Sequence, residues 1–366
     1  MIYDDLGIRG VINASARWTG LGGSIMKPEV VQAMAEASTK FVSIPDLQKA
    51  AGRRIAELTN NEDAYVTVGA AAGVAIACFA ASTKGDLHAI LRASEDPVTG
   101  QEVLIHASHR FPFDRAVPLV GLKLRTFGNV YGTTRAELEA ALSERTAAVL
   151  YLAGDHVGGA LPLQTVVEVC SSVGVPVIVD AAAQIPPKRN LWRFTKEEGA
   201  TAAIFSGGKE LCGPQASGLI VGDGGFIEAC RAVGPPSPYL LRGLKTGKEE
   251  ICGLVKAVEL YMAFDEEAHI AFLEETVANW NAELGRIPGV TTERVFPNID
   301  AQPTPRSRVR LEDHRLTGSE VIARLSEGDP AITVMADGPN AILLAPDTLE
   351  PGEAEVVLER LVEILA

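Results

Sequence analysis

The sequence predicts an α/β protein in which a large domain, built on a mostly parallel sheet, precedes a smaller α+β domain. Short apolar runs recur along the first two thirds of the chain, and amphipathic helical patterns such as residues 134–143 and 163–173 separate them. Apolar runs of this kind are typical of parallel strands that helices cover on both faces. The predicted strands begin with a run at Ala64 and continue at residues 102–107, 122–127, 147–153, 175–180, 201–206 and 217–222.

The order of these patterns predicts three segments. Residues 1–24 are glycine-rich and irregular apart from Val11-Ile-Asn-Ala, so we expect an N-terminal arm that crosses a surface or a neighbouring subunit. Residues 25–240 form the predicted large domain. Composition changes after the prolines at 235–238, and residues 241–366 are predicted to form the small domain, led by a long helix that breaks near residues 265–269.

Composition narrows the range of functions. The chain has 366 residues, 47% of them hydrophobic and 22% charged, which is typical of a folded protein with a large core. A net charge of −14 and the absence of a basic run argue against nucleic acid or an anionic membrane as a partner. The five cysteines are scattered without CxxC spacing, which favours reduced thiols and a cytoplasmic protein. No apolar run is long enough to predict a membrane span.

Lys209 is the residue around which we expect the site to be organised. It follows the apolar run 201–206, and Gly207, Gly208 and Gly213 flank it. A lysine that is desolvated beside a buried strand should have a lowered pKa, so that its amine can attack an aldehyde and form a Schiff base. We expect the glycines to leave room for a bulky group close to the backbone. A surface lysine on an ordinary turn is the alternative interpretation.

Asp180 ends the apolar run 175–180, which places it at the carboxyl edge of the predicted sheet. Open α/β sheets bind their ligands at that edge. A carboxylate there and a lysine after the following strand are the pair that pyridoxal phosphate needs, because the carboxylate keeps the pyridinium nitrogen protonated and the lysine holds the aldehyde. Asp180 as the N-cap of the next helix is the alternative.

The stretch from Gly69 to Gly73 predicts a turn between a strand and an alanine-rich helix. Free amides at a helix N-terminus bind anions, so the turn is a candidate phosphate site, although close helix packing explains small residues equally well. His109 and His156 follow two other predicted strands and are candidates for contact with a cofactor ring or for proton transfer. The histidine spacing matches no common metal site, and we predict none.

Several motifs together resemble the selenocysteine-synthase-like group of pyridoxal-phosphate enzymes, which has the aspartate aminotransferase (type I) fold, and within it the D-glucosaminate-6-phosphate ammonia-lyase branch. The resemblance covers nearly the whole chain. The residues that carry it are Val11-Ile-Asn-Ala-Ser, Ile44-Pro-Asp-Leu, Thr146-Ala-Ala-Val-Leu-Tyr, Val179-Asp180-Ala-Ala-Ala, Ser206-Gly-Gly-Lys209, Gly213-Pro, Ser217-Gly, Lys245-Thr-Gly-Lys-Glu-Glu250 and Glu327-Gly-Asp-Pro-Ala-Ile332.

The resemblance implies roles for these residues. Lys209 would hold the cofactor aldehyde, Asp180 the pyridinium nitrogen, and His156 would lie beside the ring. The phosphate turn would comprise Gly69, Ala70, Ala71, Ala72 and Gly73, with Ser206 also at the cofactor. Members of the group tend to have a serine or cysteine in this turn, so we expect Lys245 or Lys248 to reach the phosphate, across a dimer interface. Where relatives often carry an arginine after the Gly-Asp-Pro-x-Ile stretch, this chain has Thr333-Val334-Met335.

The expected reaction begins at the α-carbon of a small, hydroxylated amino acid. The resemblance implies loss of the β-hydroxyl and release of ammonia to leave a 2-keto product, with Lys209 taking the α-proton and His156 or His109 assisting the hydroxyl. Racemisation, retro-aldol cleavage and transamination remain open, as does a non-catalytic protein on this fold. Asn13 and Arg17 are the predicted substrate contacts of the arm. We expect a homodimer or larger homo-oligomer, and no selenium transfer to tRNA.

Overall fold

The computed structural model describes residues 2–95, 100–154, 158–312 and 314–366, which divide into two compact units, residues 24–264 and residues 1–23 with 265–366. The strands are β1 (Val11–Ala14), β2 (Asp63–Thr67), β3 (Glu102–His106), β4 (Lys123–Phe127), β5 (Thr146–Leu152), β6 (Val177–Asp180), β7 (Ala202–Ser206), β8 (Gly218–Gly222), β9 (Thr291–Val295), β10 (Arg306–Arg310), β11 (Ala331–Ala336) and β12 (Ala341–Leu344).

Helices follow most of these strands. The α-helices are α1 (Ile2–Asp5), α2 (Pro28–Ser38), α3 (Ile44–Leu58), α4 (Ala70–Thr83), α5 (Leu87–Glu95), α6 (Arg135–Ala141), α7 (Leu163–Ser171), α8 (Asn190–Trp192), α9 (Gly224–Val233), α10 (Lys248–Ala263), α11 (Glu266–Leu284), α12 (Gly318–Glu327) and α13 (Glu353–Leu365). Short 3-10 helices lie at Thr19–Leu21, Ala107–His109, Pro112–Ala116, Pro118–Val120 and Leu240–Leu244, and a π-helix at Arg193–Glu197.

The larger unit is built on a seven-stranded sheet in the order β2-β8-β7-β6-β5-β3-β4. β8 pairs antiparallel with β2 and β7, and the other pairings are parallel, so the predicted mostly parallel sheet is confirmed. Side chains alternate between two cores: Val103 and Ile105 face one, and Leu104 faces the other. Because β8 alone runs antiparallel to its neighbours in this sheet, the other six strands all end at one edge, and β8 begins there.

α4 lies against the middle of this sheet, and this position explains the alanine-rich sequence of the helix. Ten of its fourteen residues are buried, from Gly73 to Thr83. A helix that is apolar all round is one that neighbours enclose. Among the described residues no single helix is long and apolar enough to cross a membrane, and only α4 and α5 together, bent by 118°, pass by length and composition.

The smaller unit contains a five-stranded sheet in the order β1-β11-β12-β10-β9. Its core includes Ile12 of β1, Trp280 of α11, Val309 of β10 and Leu361 of α13. β1 pairs parallel with β11, Val11 opposite Ala331, so the strand expected in an arm is an edge strand of this sheet. The prediction of an N-terminal arm over residues 1–24 is corrected for this strand, because the backbone groups of β1 find their partners within their own unit.

The boundary between the two units also differs from the predicted domain boundary between residues 240 and 241. The long helical pattern breaks between α10 and α11, close to the predicted position, but the units separate there, after Phe264. The reason is the apolar face of α10. Ile251, Leu254 and Val258 are fully buried in the same core as Ile55 and Phe205 of the larger unit. Burying these side chains assigns α10 to the larger unit.

Candidate functional site

Asp180 is the last residue of β6, and its carboxyl group is enclosed. Only 4% of the residue is exposed, and the amide of Ala182 donates to Oδ1 at 3.1 Å. Burial raises the pKa of this carboxyl to about 6, while the Ala182 hydrogen bond and the positive charge of Lys209 act in the opposite direction. No residue of the described ranges forms an ion pair with it. A buried carboxylate in this state is suited to a cationic hydrogen-bond donor such as a pyridinium nitrogen.

Lys209 lies half-buried in the loop that joins β7 to the antiparallel β8. Three backbone hydrogen bonds close this loop: Gly207 donates to Ser217 (2.9 Å), Gly213 donates to Gly207 (2.8 Å), and Cys212 donates to the Lys209 carbonyl (2.9 Å). The loop follows the strand next to β6, so the lysine and Asp180 start from neighbouring positions on one edge. The loop is held by its own backbone, which fixes the point from which the lysine side chain extends.

The glycines beside Lys209 have a different role from the expected one. A Cβ at Gly208 would lie 2.7 Å from Cα of Gln215, and one at Gly207 would lie 2.7 Å from Cδ1 of Leu254. A Cβ at Gly213 would lie 2.9 Å from the Gly207 carbonyl oxygen. The space beside these backbones is filled by the protein, so the prediction that they leave room for a bulky group is wrong. They allow the loop to pack tightly.

The turn at Gly69 forms the start of α4. Gly69 has φ 149°, and its carbonyl accepts from the Gly73 amide (2.9 Å). No side chain in the described parts of the chain caps this helix, and the amides of Ala70, Ala71 and Ala72 have no partner within it. These amides and the helix dipole suit a phosphate group. Gly73 has a packing role, since a Cβ there would lie 2.9 Å from Cγ2 of Ile204.

Gly218 connects this turn with Ser206. Gly218 pairs with Ser206 at the start of β8, and a Cβ on Gly218 would lie 2.7 Å from the Gly69 carbonyl carbon. Gly218 belongs to the Ser217-Gly motif, and no role for it was predicted from the sequence. The sequence does contain a signal for this contact, because a glycine at the start of a strand often marks a place where another segment of backbone comes close. Ser206, Lys209, Asp180 and the Gly69 turn thus lie at the same edge of the sheet.

The histidines differ in how they are placed. His109 is 1% exposed, its Nδ1 accepts from the Leu152 amide (3.3 Å), and its ring centroid lies 4.5 Å from that of Tyr151. His109 is therefore packed between the ends of β3 and β5. His106 contacts the hydroxyls of Ser108 and Thr133, and burial lowers its pKa. His156 lies outside the described residues.

Lys245 and Lys248 lie near the start of α10. Lys248 is the first residue of that helix and forms an ion pair with Glu249, whereas Lys245 is exposed. A cavity of about 500 Å³ runs beside the first turn of α4, where Ala71 and Ala72 line it together with the segment just before Lys245. The segment just before Lys245 therefore lies beside the first turn of α4, and the approach of Lys245 or Lys248 to a phosphate stays a prediction.

The predicted substrate residues Asn13 and Arg17 belong to the smaller unit. The Asn13 amide donates to the Ala16 carbonyl (2.9 Å), and its Oδ1 accepts from the backbone and hydroxyl of Ser15 (3.0 and 2.9 Å). Arg17 forms a largely buried ion pair with Asp347. Both side chains thus contact their own unit, and their substrate role stays a prediction. In the part of the chain that the structure describes, no cluster of His, Cys, Asp and Glu could hold a metal ion.

Comparison with known proteins adds independent findings. The sequence model of the family described as SelA, L-seryl-tRNA selenium transferase, matches residues 11–279. The chain is 33% identical to D-glucosaminate-6-phosphate ammonia lyase of Salmonella typhimurium, over 99% of this chain and 97% of that protein. It is 32% identical to 5'-C-glycyluridine monooxygenase-decarboxylase of a Streptomyces species, over 100% of this chain and 92% of that protein.

Solved structures show the same similarity at the level of the fold. A D-glucosaminate-6-phosphate ammonia-lyase structure superimposes with a TM-score of 0.86 at 32% identity, covering 100% of this chain and 98% of that one. Serine palmitoyltransferase with its pyridoxal-phosphate internal aldimine superimposes with a TM-score of 0.60 at 16% identity, covering 96% of this chain and 86% of that one, which shows a common fold. The predicted fold of the type I pyridoxal-phosphate enzymes is confirmed.

Proposed function

Because the chain belongs to the SelA family of L-seryl-tRNA selenium transferases and is a pyridoxal-phosphate enzyme, we propose that it is an ammonia-lyase acting on a small hydroxylated amino acid. The reaction breaks the Cα–H bond and the Cβ–O bond and releases water. Hydrolysis of the resulting enamine consumes water and releases ammonia, so the product is a 2-keto compound. The full-length similarity to an ammonia lyase supports this reaction.

The observation that carries the proposal is the buried carboxyl of Asp180, which forms no ion pair with any described residue and on which the charge of Lys209 acts. When bound, pyridoxal phosphate supplies an electron-withdrawing ring that stabilises negative charge at the α-carbon. Asp180 would accept a hydrogen bond from the proton on the ring nitrogen and keep that proton in place. Lys209 would hold the aldehyde carbon, and its amine would accept the α-proton.

The remaining residues bind and orient. The amides of Ala70, Ala71 and Ala72 would donate to the phosphate at the start of α4, and Ser206, which pairs with Gly218 beside the turn, would add a hydroxyl. Lys245 contributes positive charge from the neighbouring segment. A proton for the departing hydroxyl comes from His156, which lies outside the described residues, rather than from His109, whose ring is enclosed.

A product assay tests the reaction. We expect the protein loaded with pyridoxal phosphate to release ammonia and a 2-keto compound in equal amounts from at least one small hydroxylated amino acid of D or L configuration. No amino acceptor should be needed. Dependence on an added keto acid would show transamination, and formation of the enantiomer or of an aldehyde would show racemisation or retro-aldol cleavage. Any of these results in place of ammonia release would contradict the lyase.

Oxygen-dependent decarboxylation is the second candidate reaction, since a monooxygenase-decarboxylase is almost as similar to the chain over its full length. Oxygen uptake and carbon dioxide release measured in the same assay separate this reaction from elimination, which consumes no oxygen.

Selenium transfer to tRNA is disfavoured because a chain with net charge −14 repels a polyanion. The cytoplasmic location stays a prediction.

A homodimer is the proposed assembly, although β1 pairs in its own unit and the arm no longer supports it. The support is a group of exposed apolar side chains around the cavity beside α4, namely Phe113, Leu119 and Leu240, with Leu119 77% exposed. We expect light scattering at micromolar concentration to detect at least a dimer, and Leu119→Asp to shift it towards monomer. Val173→Asp, at an exposed apolar residue after α7, is the matched control. A wild type that is only monomeric contradicts the proposal.

A further inference from the structure

The peptide group that joins Gly69 to Ala70, at the start of α4, is held from two sides. The Thr67 hydroxyl donates to the Gly69 carbonyl at 2.9 Å, and the Gly73 amide donates to the same oxygen at 2.9 Å. The backbone of Gly218 packs against the same peptide group. A Cβ on Gly218 would lie 2.7 Å from the Gly69 carbonyl carbon and 2.8 Å from the Ala70 nitrogen. The surroundings therefore fix the orientation of this peptide group.

Gly69 cannot fix that orientation by itself. Its φ of 149° lies in a region that glycine adopts readily and other residues rarely do, and glycine has no side chain to restrict rotation. Because the peptide bond is planar and trans, the Gly69 carbonyl and the Ala70 amide point in opposite directions. A hydroxyl that holds the carbonyl on one side therefore aims the amide outward on the other side.

The strand end that carries Thr67 is itself held by Gln48. β2 is an edge strand, and Thr67, which is 1% exposed, pairs with Gly218 of β8 on one side. On the other side the buried amide of Gln48, on α3, donates to the Val66 carbonyl (2.9 Å) and accepts from the Val66 amide (3.2 Å). One side chain thus makes the two hydrogen bonds that a further strand would make. The Thr67 side chain extends from a fixed position.

We propose that Thr67 is a positioning residue for the cofactor phosphate, acting through the Gly69–Ala70 peptide group, with Gln48 fixing the strand end behind it. The alanines of the phosphate turn offer an anion only their backbone amides, so the alignment of these amides determines how tightly the phosphate binds. This role of Thr67 rests on the proposed function only in that the phosphate lies at the Gly69 turn, and not on the reaction that follows.

Thr67→Val tests the role, because valine keeps the shape of the side chain and lacks the hydroxyl. The full chain, freed of cofactor, is titrated with pyridoxal phosphate and with pyridoxal, which lacks the phosphate, and the visible absorbance band reports binding. We expect Thr67→Val to bind pyridoxal phosphate about ten-fold more weakly than the wild type, or by about 1.4 kcal/mol, with its affinity for pyridoxal unchanged. Thr67→Ser keeps a hydroxyl and should restore the affinity for pyridoxal phosphate.

Thr83, at the other end of α4, provides the matched control. It is also buried, and its hydroxyl donates to the Phe79 carbonyl at 3.0 Å. Thr83→Val removes a hydrogen bond of the same kind and should keep the wild-type ratio of the two affinities, even where Tm falls. Equal weakening of both ligands in Thr67→Val would show a general loss of structure and overturn the proposal. An unchanged affinity for pyridoxal phosphate in that variant would overturn it as well.

A second pair of variants covers failure of Thr67→Val to fold. Gly218→Ala places a methyl group against the Gly69–Ala70 peptide group from the other side, and should weaken binding of pyridoxal phosphate while pyridoxal still binds. Gly224→Ala is its control, since a Cβ there would meet Glu62 only at 3.8 Å or beyond, and it should bind both ligands as the wild type does. Unchanged binding of pyridoxal phosphate in Gly218→Ala would contradict the positioning of this peptide group.

The same titrations separate the two levels of the proposal. A wild type that binds pyridoxal as tightly as pyridoxal phosphate would refute the phosphate site at the Gly69 turn, and the role of Thr67 with it. A wild type that prefers pyridoxal phosphate, together with a Thr67→Val variant that keeps the whole of this preference, would refute the role of Thr67 alone. Neither result depends on whether ammonia is released.

Discussion

Lys209→Ala is expected to lose the visible absorbance band of bound pyridoxal phosphate and to lower kcat/KM by about a thousand-fold or more. In the proposed function Lys209 is both the amine that holds the aldehyde and the base that takes the α-proton, and the variant removes both. The loop itself should survive, because its closing hydrogen bonds are made by the backbone of Gly207, Lys209 and Gly213. The absorbance spectrum after dialysis and the rate of ammonia release measure the two effects separately.

Lys196→Ala is the control for loss of a lysine. Lys196 lies in the larger unit and forms a solvent-exposed pair with Glu62, so its removal should leave the spectrum and the rate unchanged. Borohydride treatment of the wild type followed by mass spectrometry should find the cofactor mass on the peptide that contains Lys209. If the band persists in Lys209→Ala, or if the cofactor mass lies on another lysine, the assignment of Lys209 is wrong.

The strand ends of the larger unit were predictable from the sequence because local patterns determine them. Asp180 ends an apolar run and Lys209 follows one, and parallel strands bring such ends to one edge. The break between α10 and α11 was predictable for the same reason, since Asp265 caps α11 through the Ala268 amide (3.0 Å). These signals lie within a few residues of the feature that they predict.

The features that were missed depend on partners far away in the sequence. β1 joins a strand more than 300 residues later, and no local pattern in Val11–Ala14 identifies β11 as its neighbour. The large-unit packing of α10 and the close contact of Gly218 with Gly69 likewise depend on tertiary packing.

Asp180→Asn is expected to have opposite effects on the cofactor-free and cofactor-loaded protein. Without the cofactor, burial raises the Asp180 pKa from 3.8 to about 6, so the folded protein holds this proton over a pH range in which the unfolded chain has released it. The cost of ionising the buried carboxyl is absent below pH 4, develops between pH 4 and pH 6 and is complete above pH 6. The difference between the two pKa values corresponds to roughly 3 kcal/mol.

At pH 8 the cofactor-free Asp180→Asn protein should therefore be more stable than the wild type, by up to about 3 kcal/mol, and the advantage should vanish at pH 4. In the loaded protein the sign reverses. In its proposed role the wild-type carboxylate would face a protonated ring nitrogen, whereas an amide would not hold that proton, so cofactor affinity and kcat should each fall, kcat by about a hundred-fold. Denaturant unfolding from pH 4 to pH 8, with and without cofactor, measures both effects. Asp5→Asn, at an exposed residue, serves as the control. A cofactor-free variant that is less stable than the wild type at pH 8, or a loaded variant with unchanged kcat, would contradict this role of Asp180.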